Sequence, residues 1–354
     1  MTSRQRILAA INLEIPDRVP VSPFGLGRLN PESEIAKRLI RETDPFIEVG
    51  LGGNIFLGRA VKTESYSEGN DTVTVIHTPK GDLVSRFRRT EVTGYTVEFP
   101  CKGPEDVEKL LSIPFEPVEP DVDRFLRRKE EIGEEGLVLA GLPNAICFPA
   151  TYLSPQDFCL LWADEPDLML RMVEIAAERV NEFVEKACRG GVDAFRIIGG
   201  EYATEQLGPK GFEALVKPFD RDLCEIIHRY GGIAYYHNHG RVSRYLEDFA
   251  EIGIDALDPL EIPPYGDVDL ADAKRRVKGK YCLVGPLDDM EVLEKRDFGY
   301  IRKLAWKCLE AAGPDGYILG GTASGTYTER AAINFIKLVE VSKEFSVGAK
   351  PRWV

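Results

Sequence analysis

The chain has 354 residues, of which 44% are hydrophobic and 29% are charged, a composition typical of a globular protein with a sizeable core. Its formal net charge of −13 argues against general nucleic-acid binding and against adhesion to an anionic membrane surface. An anionic substrate would therefore need local positive charge at its binding site. The start of the chain lacks a secretory pattern, no apolar run is long enough to span a membrane, and the seven cysteines form no C-x-x-C pair. We expect a cytoplasmic protein without a disulfide scaffold.

The first hundred residues predict two helix–strand units and an insertion. The helices are expected near residues 3–13 and 31–42, and the strands near 17–21 and 47–53. Residues 60–100 differ in character, because a β-branched run over 72–84 and an alternating run over 93–100 surround turn residues. This pattern predicts an antiparallel hairpin insertion. The insertion is interpreted either as a lid or as a contact in a homodimer, and the sequence leaves both open.

From residue 136 onward, strand and helix patterns alternate regularly. Strands are predicted at 137–142, 192–198, 233–239, 254–257, 281–284 and 316–319, each followed by helical sequence. These units and the two earlier ones total about eight, the number that closes a (β/α)8 barrel of the TIM type. A doubly wound open sheet is the alternative α/β fold, but no G-x-G-x-x-G follows a strand. We predict a single barrel domain over residues 1–354.

Two of the four histidines lie close together in residues 235–240, Tyr-Tyr-His-Asn-His-Gly. Side chains in a strand alternate between its faces, so His237 and His239 are expected on the same face. Such a pair at a strand end can ligate a metal, bind an anion or transfer protons. The alternative is two buried histidines that bond to the backbone.

In a barrel the C-terminal ends of the strands form the active site. The polar residues predicted at this end are Asn144, Glu201, Tyr202, His237, His239, Asp258 and Glu261. Two imidazoles and the carboxylate of Glu201 resemble the ligands of zinc, and they also suit ferrous iron. Glu201 is predicted as a catalytic metal ligand, with orientation of a histidine or a solvated loop position as the alternatives.

The remaining candidates are predicted to bind substrate. Asn144 and Tyr202 follow predicted strands, as do Asp258 and Glu261, whose alternative role is as acids at a helix start. Arg28 lies in a glycine-rich loop and could bind a carboxylate or phosphate, or lie at the surface as an ordinary arginine.

Three segments resemble the uroporphyrinogen decarboxylase (URO-D) superfamily. They are residues 4–11 (RQRILAAI), 16–20 (PDRVP) and 207–212 (LGPKGF), the last with its helix and the histidine strand that follows. The resemblance covers essentially the whole chain and implies a distorted (β/α)8 barrel. The superfamily contains haem-pathway decarboxylases and cobamide-dependent methyltransferases, and the latter bind zinc through a His-x-Cys pair and a later cysteine.

The chain resembles the methyltransferase branch more closely. His237-Asn238-His239-Gly240 lies where those enzymes have His-x-Cys-Gly, whereas the last strand reads Leu-Gly-Gly-Thr at 319–322 where the decarboxylases have Leu-Gly-His-Gly. The resemblance implies a metal-assisted methyltransferase of one-carbon metabolism. Zinc, or another divalent metal, would be held by His237, His239 and Glu201. A corrinoid protein would be the partner, and a small molecule would donate or accept the methyl group.

Two other hypotheses stay open. One is a decarboxylase-like enzyme without a metal, acting on a porphyrinogen or another carboxylated substrate that Arg28 and Glu201 would contact. The other is a non-catalytic barrel that binds a corrinoid or tetrapyrrole.

Overall fold

The computed structural model of the protein describes residues 1–91, 93–322 and 325–348. The strands in chain order are β1 (Val21–Ser22), β2 (Phe46–Gly50), β3 (Lys62–Glu68), β4 (Asp71–His77), β5 (Leu83–Arg89), β6 (Gly94–Glu98), β7 (Leu137–Pro143), β8 (Ala194–Ile198), β9 (Ile233–His237), β10 (Ala256–Asp258), β11 (Cys282–Pro286) and β12 (Tyr317–Gly320).

The helices begin near the N-terminus and then alternate with the later strands. They are α1 (Ser3–Ile11), α2 (Glu34–Glu42), α3 (Pro104–Leu111), α4 (Val122–Ile132), α5 (Cys147–Tyr152), α6 (Pro155–Asp164), α7 (Pro166–Arg189), α8 (Glu201–Thr204), α9 (Gly208–Leu215), α10 (Lys217–Arg229), α11 (Leu246–Ile252), α12 (Leu270–Val277), α13 (Phe298–Ala312) and α14 (Glu329–Ser346). A 3-10 turn at Ser243–Tyr245 precedes α11, and a π-helical turn at Asp289–Leu293 precedes α13. No described helix is both long enough and apolar enough to cross a membrane.

Eight parallel strands form the predicted (β/α)8 barrel. Their order in space is β1-β12-β11-β10-β9-β8-β7-β2. The ring closes between the two ends of this sheet, where Phe24 bridges Phe46 in parallel and the Gly25 amide donates to the Phe46 carbonyl at 2.8 Å. The barrel predicted from the strand count is therefore confirmed, and the open-sheet alternative is excluded.

The core has two layers, one inside the barrel and one outside it. The inner layer contains Phe46, Leu139, Tyr235 and Ile318 of the strands, and Ile7 of α1 packs into the same cluster. The outer layer lies between the strands and the surrounding helices, with β9 contributing Tyr236. Alternate residues of a barrel strand therefore face the lumen and the helices.

The insertion predicted near 60–100 is present as a second sheet. Its antiparallel order is β3-β4-β5-β6, so it contains four strands where the pattern predicted a two-stranded hairpin. Strand β3 is exposed along its whole length, so neither face needs apolar side chains, and its sequence KTESYSE shows no apolar alternation. The sequence consequently contained no signal for this strand.

Three predicted boundaries differ from the observed ones, each for a local reason. The helical stretch predicted from 154 to 188 is two helices, because Pro166 starts α7. The helix predicted from 210 to 228 divides at Val216, and Pro218 lies in the first turn of α10. The histidine strand predicted for 233–239 ends at His237, and Gly240 follows with a positive φ of 88°.

Candidate active site

The two histidines meet at the C-terminal end of β9, although only one belongs to the strand. His237 is the last strand residue, and His239 lies in the loop two residues later. Their ring centroids are 4.5 Å apart and the rings are nearly perpendicular. The side chain of His237 is 7% exposed and that of His239 is 40% exposed, so the pair extends from the barrel interior to its mouth.

Each imidazole is held by a carboxylate from the loop or strand end next to it. Nδ1 of His237 donates to Oδ1 of Asp258 at 2.9 Å, and Nδ1 of His239 lies 3.2 Å from Oε1 of Glu261. The second oxygen of Glu261 accepts the amide of Gly240 at 2.7 Å. In the part of the chain that the structure describes, neither Nε2 atom has a hydrogen-bond partner. Histidines that ligate metals have this arrangement, with a carboxylate on one nitrogen and the other nitrogen available.

Burial and charge act differently on the two imidazoles. Burial lowers the pKa of His237 more than the Asp258 carboxylate raises it, which favours a neutral ring. Burial also opposes protonation of His239, but the hydrogen bond and charge of Glu261 outweigh it and raise the pKa. Burial would raise the pKa of Asp258, yet the adjacent His237 lowers it, so Asp258 stays an ionised acceptor. A neutral His237 that donates from Nδ1 has a lone pair on Nε2.

Glu201 is the first residue of α8, which follows β8, the strand next to β9. Its Oε2 atom is buried and has no hydrogen-bond partner among the described residues. The charge of Glu201 contributes to the raised pKa of His239. Among the residues described, however, no three His, Cys, Asp or Glu side chains are gathered as a metal site. Two free Nε2 atoms and one unpaired carboxylate oxygen are the types of ligand that zinc binds. In this structure these three atoms do not converge on one point.

The other predicted substrate-binding residues have different surroundings. Asp258 and Glu261 contact the histidines, as described above. The Asn144 side chain is fully buried and donates to Oδ2 of Asp220 at 2.8 Å. Tyr202 is half-buried, its pKa is raised by burial to about 12, and it lines a cavity of about 260 Å³ together with Thr96 and Phe99. Arg28 is exposed in the loop after β1.

Two charged residues on barrel strands escaped the sequence prediction, one with a buried side chain (Arg196) and one whose side chain is 37% exposed (Glu48). Arg196 of β8 and Glu48 of β2 form an ion pair of 2.7 Å between Nη1 and Oε2. Ala194 and Phe46, two residues earlier on each strand, pack in the lumen, so Arg196 and Glu48 also face inward. The available signal was a charge within the apolar runs AFRII and FIEVG, because strands of a parallel barrel are normally buried on both faces.

The family model for uroporphyrinogen decarboxylase (URO-D) matches residues 87–345. The chain belongs to the URO-D family. The match includes β7 to β12 and therefore every barrel strand that carries the histidines and their carboxylate partners. No curated protein matches the sequence.

Solved structures resemble this URO-D family member to different degrees. A methyltransferase from Methanosarcina mazei is 16% identical, covers 98% of this chain and 99% of its own, and superposes with a TM-score of 0.64. A B12-independent methionine synthase from Shewanella sp. W3-18-1 in complex with selenomethionine is 12% identical and covers 82% of this chain and 76% of its own, with a TM-score of 0.43. The first similarity establishes a common fold, and the second is too distant to support an argument.

Proposed function

We propose that this URO-D family protein is a methyltransferase that uses zinc, held by His237, His239 and Glu201, and exchanges a methyl group with a corrinoid protein. The observation that carries the proposal is the pair of imidazoles whose Nδ1 atoms face carboxylates while both Nε2 atoms are free. The reaction class is carried over from the M. mazei methyltransferase, whose chain has the same fold over almost its whole length.

The chain's own residues would have distinct tasks. Asp258 and Glu261 fix the rotation of the two rings through Nδ1. The burial of His237 lowers its pKa and so favours an unprotonated Nε2, and Glu201 supplies a buried oxygen that lacks a partner among the described residues. When bound, zinc would act as a Lewis acid on the thiol or oxygen of the small-molecule substrate.

Porphyrinogen decarboxylation is the weaker alternative for this site. A porphyrinogen bears several carboxylates, and such a ligand requires several cations around it. The eight barrel strands, all of which are described, contain one arginine, Arg196, and no lysine. This charge suits a substrate with a single anionic group better than a polycarboxylate.

Metal analysis of the purified protein tests the proposal. We expect one zinc per chain in the wild type, and loss of zinc in His237→Ala and Glu201→Gln. Asp258→Asn should keep the two Nε2 ligands but weaken zinc binding by about 10- to 100-fold, since the partner that orients His237 is altered. His77→Ala is the matched control, because His77 lies in the inserted sheet and pairs with Asp82.

The same samples should be assayed for demethylation of free methylcobalamin by a panel of thiols, and for methylation of free cob(I)alamin by a panel of methyl ethers. Activity that depends on zinc and on His237 supports methyl transfer. Wild-type protein that contains no stoichiometric metal, after purification without chelators and incubation with zinc, contradicts the proposal. Zinc that is retained in His237→Ala would also contradict it.

A further inference from the structure

A charged layer crosses the barrel lumen beneath the histidines. Arg196 is 8% exposed, and its register partner on β9 is Tyr235, whereas Ile198 is the partner of His237. The Cα of Arg196 therefore lies about one lumen layer below that of His237. Placing an ionised side chain inside a barrel is costly unless its hydrogen bonds are satisfied.

The carboxylate of Glu48 and the ring of Phe24 fix the orientation of the Arg196 guanidinium. Its Nη1 donates to Glu48, and its Cζ lies 4.1 Å from the centre of the Phe24 ring. Glu48 has room because Gly141 faces it: a Cβ at Gly141 would lie 2.7 Å from Oε1 of Glu48. The Arg196–Glu48 pair is thus built into the lumen by a glycine on one neighbouring strand and an aromatic ring at the end of another.

The opposite edge of the guanidinium has no partner. Nε of Arg196 is buried without a hydrogen bond, and Nη2 also forms none within residues 1–91, 93–322 and 325–348. The hydroxyl of Ser22 is likewise buried and unpaired. Ser22 precedes Phe24 by two residues and therefore faces the lumen beside the same ring. Buried donors without partners are rare and destabilise the fold, so they need an explanation.

The free donors define the chemistry of the missing acceptor. The Nε and Nη2 atoms of an arginine form a planar fork that matches the two oxygens of a carboxylate, or two of the three oxygens of a sulfonate. With Glu48 on Nη1, the guanidinium has one free edge left, which can hold one oxyanion group and no more. The position below His237 would direct the rest of such a molecule toward the imidazole pair.

We propose that Arg196 and Ser22 form a binding site for a single oxyanion group, a carboxylate or a sulfonate, of a small-molecule substrate. This inference deepens the proposed function, on which it rests for the role of the bound molecule as methyl donor or acceptor. Arg196 donates two hydrogen bonds to the anionic group from its Nε and Nη2 atoms, and Ser22 donates one more. Glu48 orients the guanidinium by accepting a hydrogen bond from Nη1.

Binding of model anions measured by calorimetry tests the site. The probes are benzoate, benzenesulfonate and the neutral isostere benzamide, added to zinc-loaded protein. We expect an anion to bind more tightly than benzamide, and the preferred anion distinguishes a carboxylate from a sulfonate. Arg196→Gln should weaken anion binding by about 10- to 100-fold, the range for hydrogen bonds to a charged group. Arg196→Lys, which keeps the charge and loses the fork, should weaken it less, as should Ser22→Ala.

Arg241→Gln is the matched control, since Arg241 lies at the same end of the barrel but is exposed and pairs with Glu205. It should bind the anions as the wild type does. Equal binding of benzoate and benzamide, no anion binding at millimolar concentration, or unchanged binding in both Arg196 variants overturns the proposal. Zinc content on the same samples separates the two proposals: loss of anion affinity with unchanged zinc supports the oxyanion site, whereas absence of zinc contradicts only the metal site.

Discussion

Asp220 is the most confined carboxyl group near the candidate site. It lies on α10, is 1% exposed, and accepts hydrogen bonds from the Tyr236 hydroxyl at 2.5 Å and from Nδ2 of Asn144 at 2.8 Å. Burial raises its pKa to about 6, although both hydrogen bonds act in the opposite direction. The group therefore changes its charge close to neutral pH, under the strand ends that carry Asn144 and His237.

Asp220→Asn should change how stability depends on pH. The pKa of the folded state, about 6, lies above the ordinary value of 3.8, so the protonated carboxyl stabilises the fold at low pH. That contribution is complete below pH 3.8 and is lost as the pH rises through 6. Asparagine stays neutral and can accept the same two donors. We expect its free energy of unfolding, relative to wild type, to rise by about 2 kcal/mol between pH 4.5 and pH 8.

Urea unfolding at the two pH values measures this difference. Asp222→Asn is the control, because Asp222 lies on the same helix with an exposed side chain. A difference between Asp220→Asn and wild type that does not vary with pH would show that the carboxyl titrates at an ordinary pKa.

For individual residues, the sequence predicted which end of the barrel they occupy better than it predicted which side chains they contact. Pattern and strand ends were sufficient to bring His237, Asp258 and Glu261 to one end of the barrel. Arg196 and Glu48 were not foreseen as a pair, because they are 148 positions apart and meet only through the register of three parallel strands, β8, β7 and β2.

Among the local elements, the glycine turn before α8 is packed most closely against the site. A Cβ at Gly199 would collide with Oδ1 of Asn144, and one at Gly200 would collide with Oδ1 of Asn238. Asn238 is fully buried and cannot move away easily. The turn that leads into Glu201 is therefore positioned by direct contact with the ends of β7 and β9.

Gly200→Ala should displace Glu201 without unfolding the barrel. The backbone at Gly200 is right-handed helical, with φ −57° and ψ −30°, so alanine causes a steric clash and no backbone strain. We expect a loss of about 1–3 kcal/mol of stability, as for overpacked cores, together with reduced zinc content. Gly103→Ala is the control, because a Cβ there meets no atom within 4 Å. Zinc content at the wild-type level in Gly200→Ala would mean that Glu201 is not held by this turn.

Burial of apolar side chains explains which strands could be predicted from the sequence. Strand β4 contains apolar residues that pack inward, such as Val73, and its run was recognised together with the start of β5 at Leu83 and the alternating run of β6. Strand β3 has no buried side chain and was not. The predicted strand extended through Asn238 and His239, whereas β9 ends at His237 and Gly240 follows in the loop with a positive φ.

For the whole molecule, the N-terminal segments that resemble the URO-D superfamily have a structural role. Nη1 of Arg6 and Nη1 of Arg18 both donate to the buried carboxylate of Asp44 at 2.6 Å, and the Val21 amide donates to it at 2.9 Å. Arg6 also donates to Asp17. This network joins α1, the start of β1 and the segment before β2. The strand count predicted the barrel, but only the structure assigns these arginines to its closure rather than to its active site.

Asp44→Asn should therefore destabilise the fold strongly and leave the site chemistry unchanged in the molecules that remain folded. The substitution removes the charge that two buried guanidinium groups share, and breaking a buried ion pair from one side costs about 3–5 kcal/mol. Thermal and urea unfolding measure the loss, and zinc per folded chain measures the site. Glu42→Gln is the matched control, because Glu42 pairs with Arg38 at the surface, where a salt bridge contributes about 0–1 kcal/mol. A melting temperature close to wild type for Asp44→Asn would show that α1 and the barrel closure are held by apolar packing, with Ile7 in the lumen cluster as the main contact.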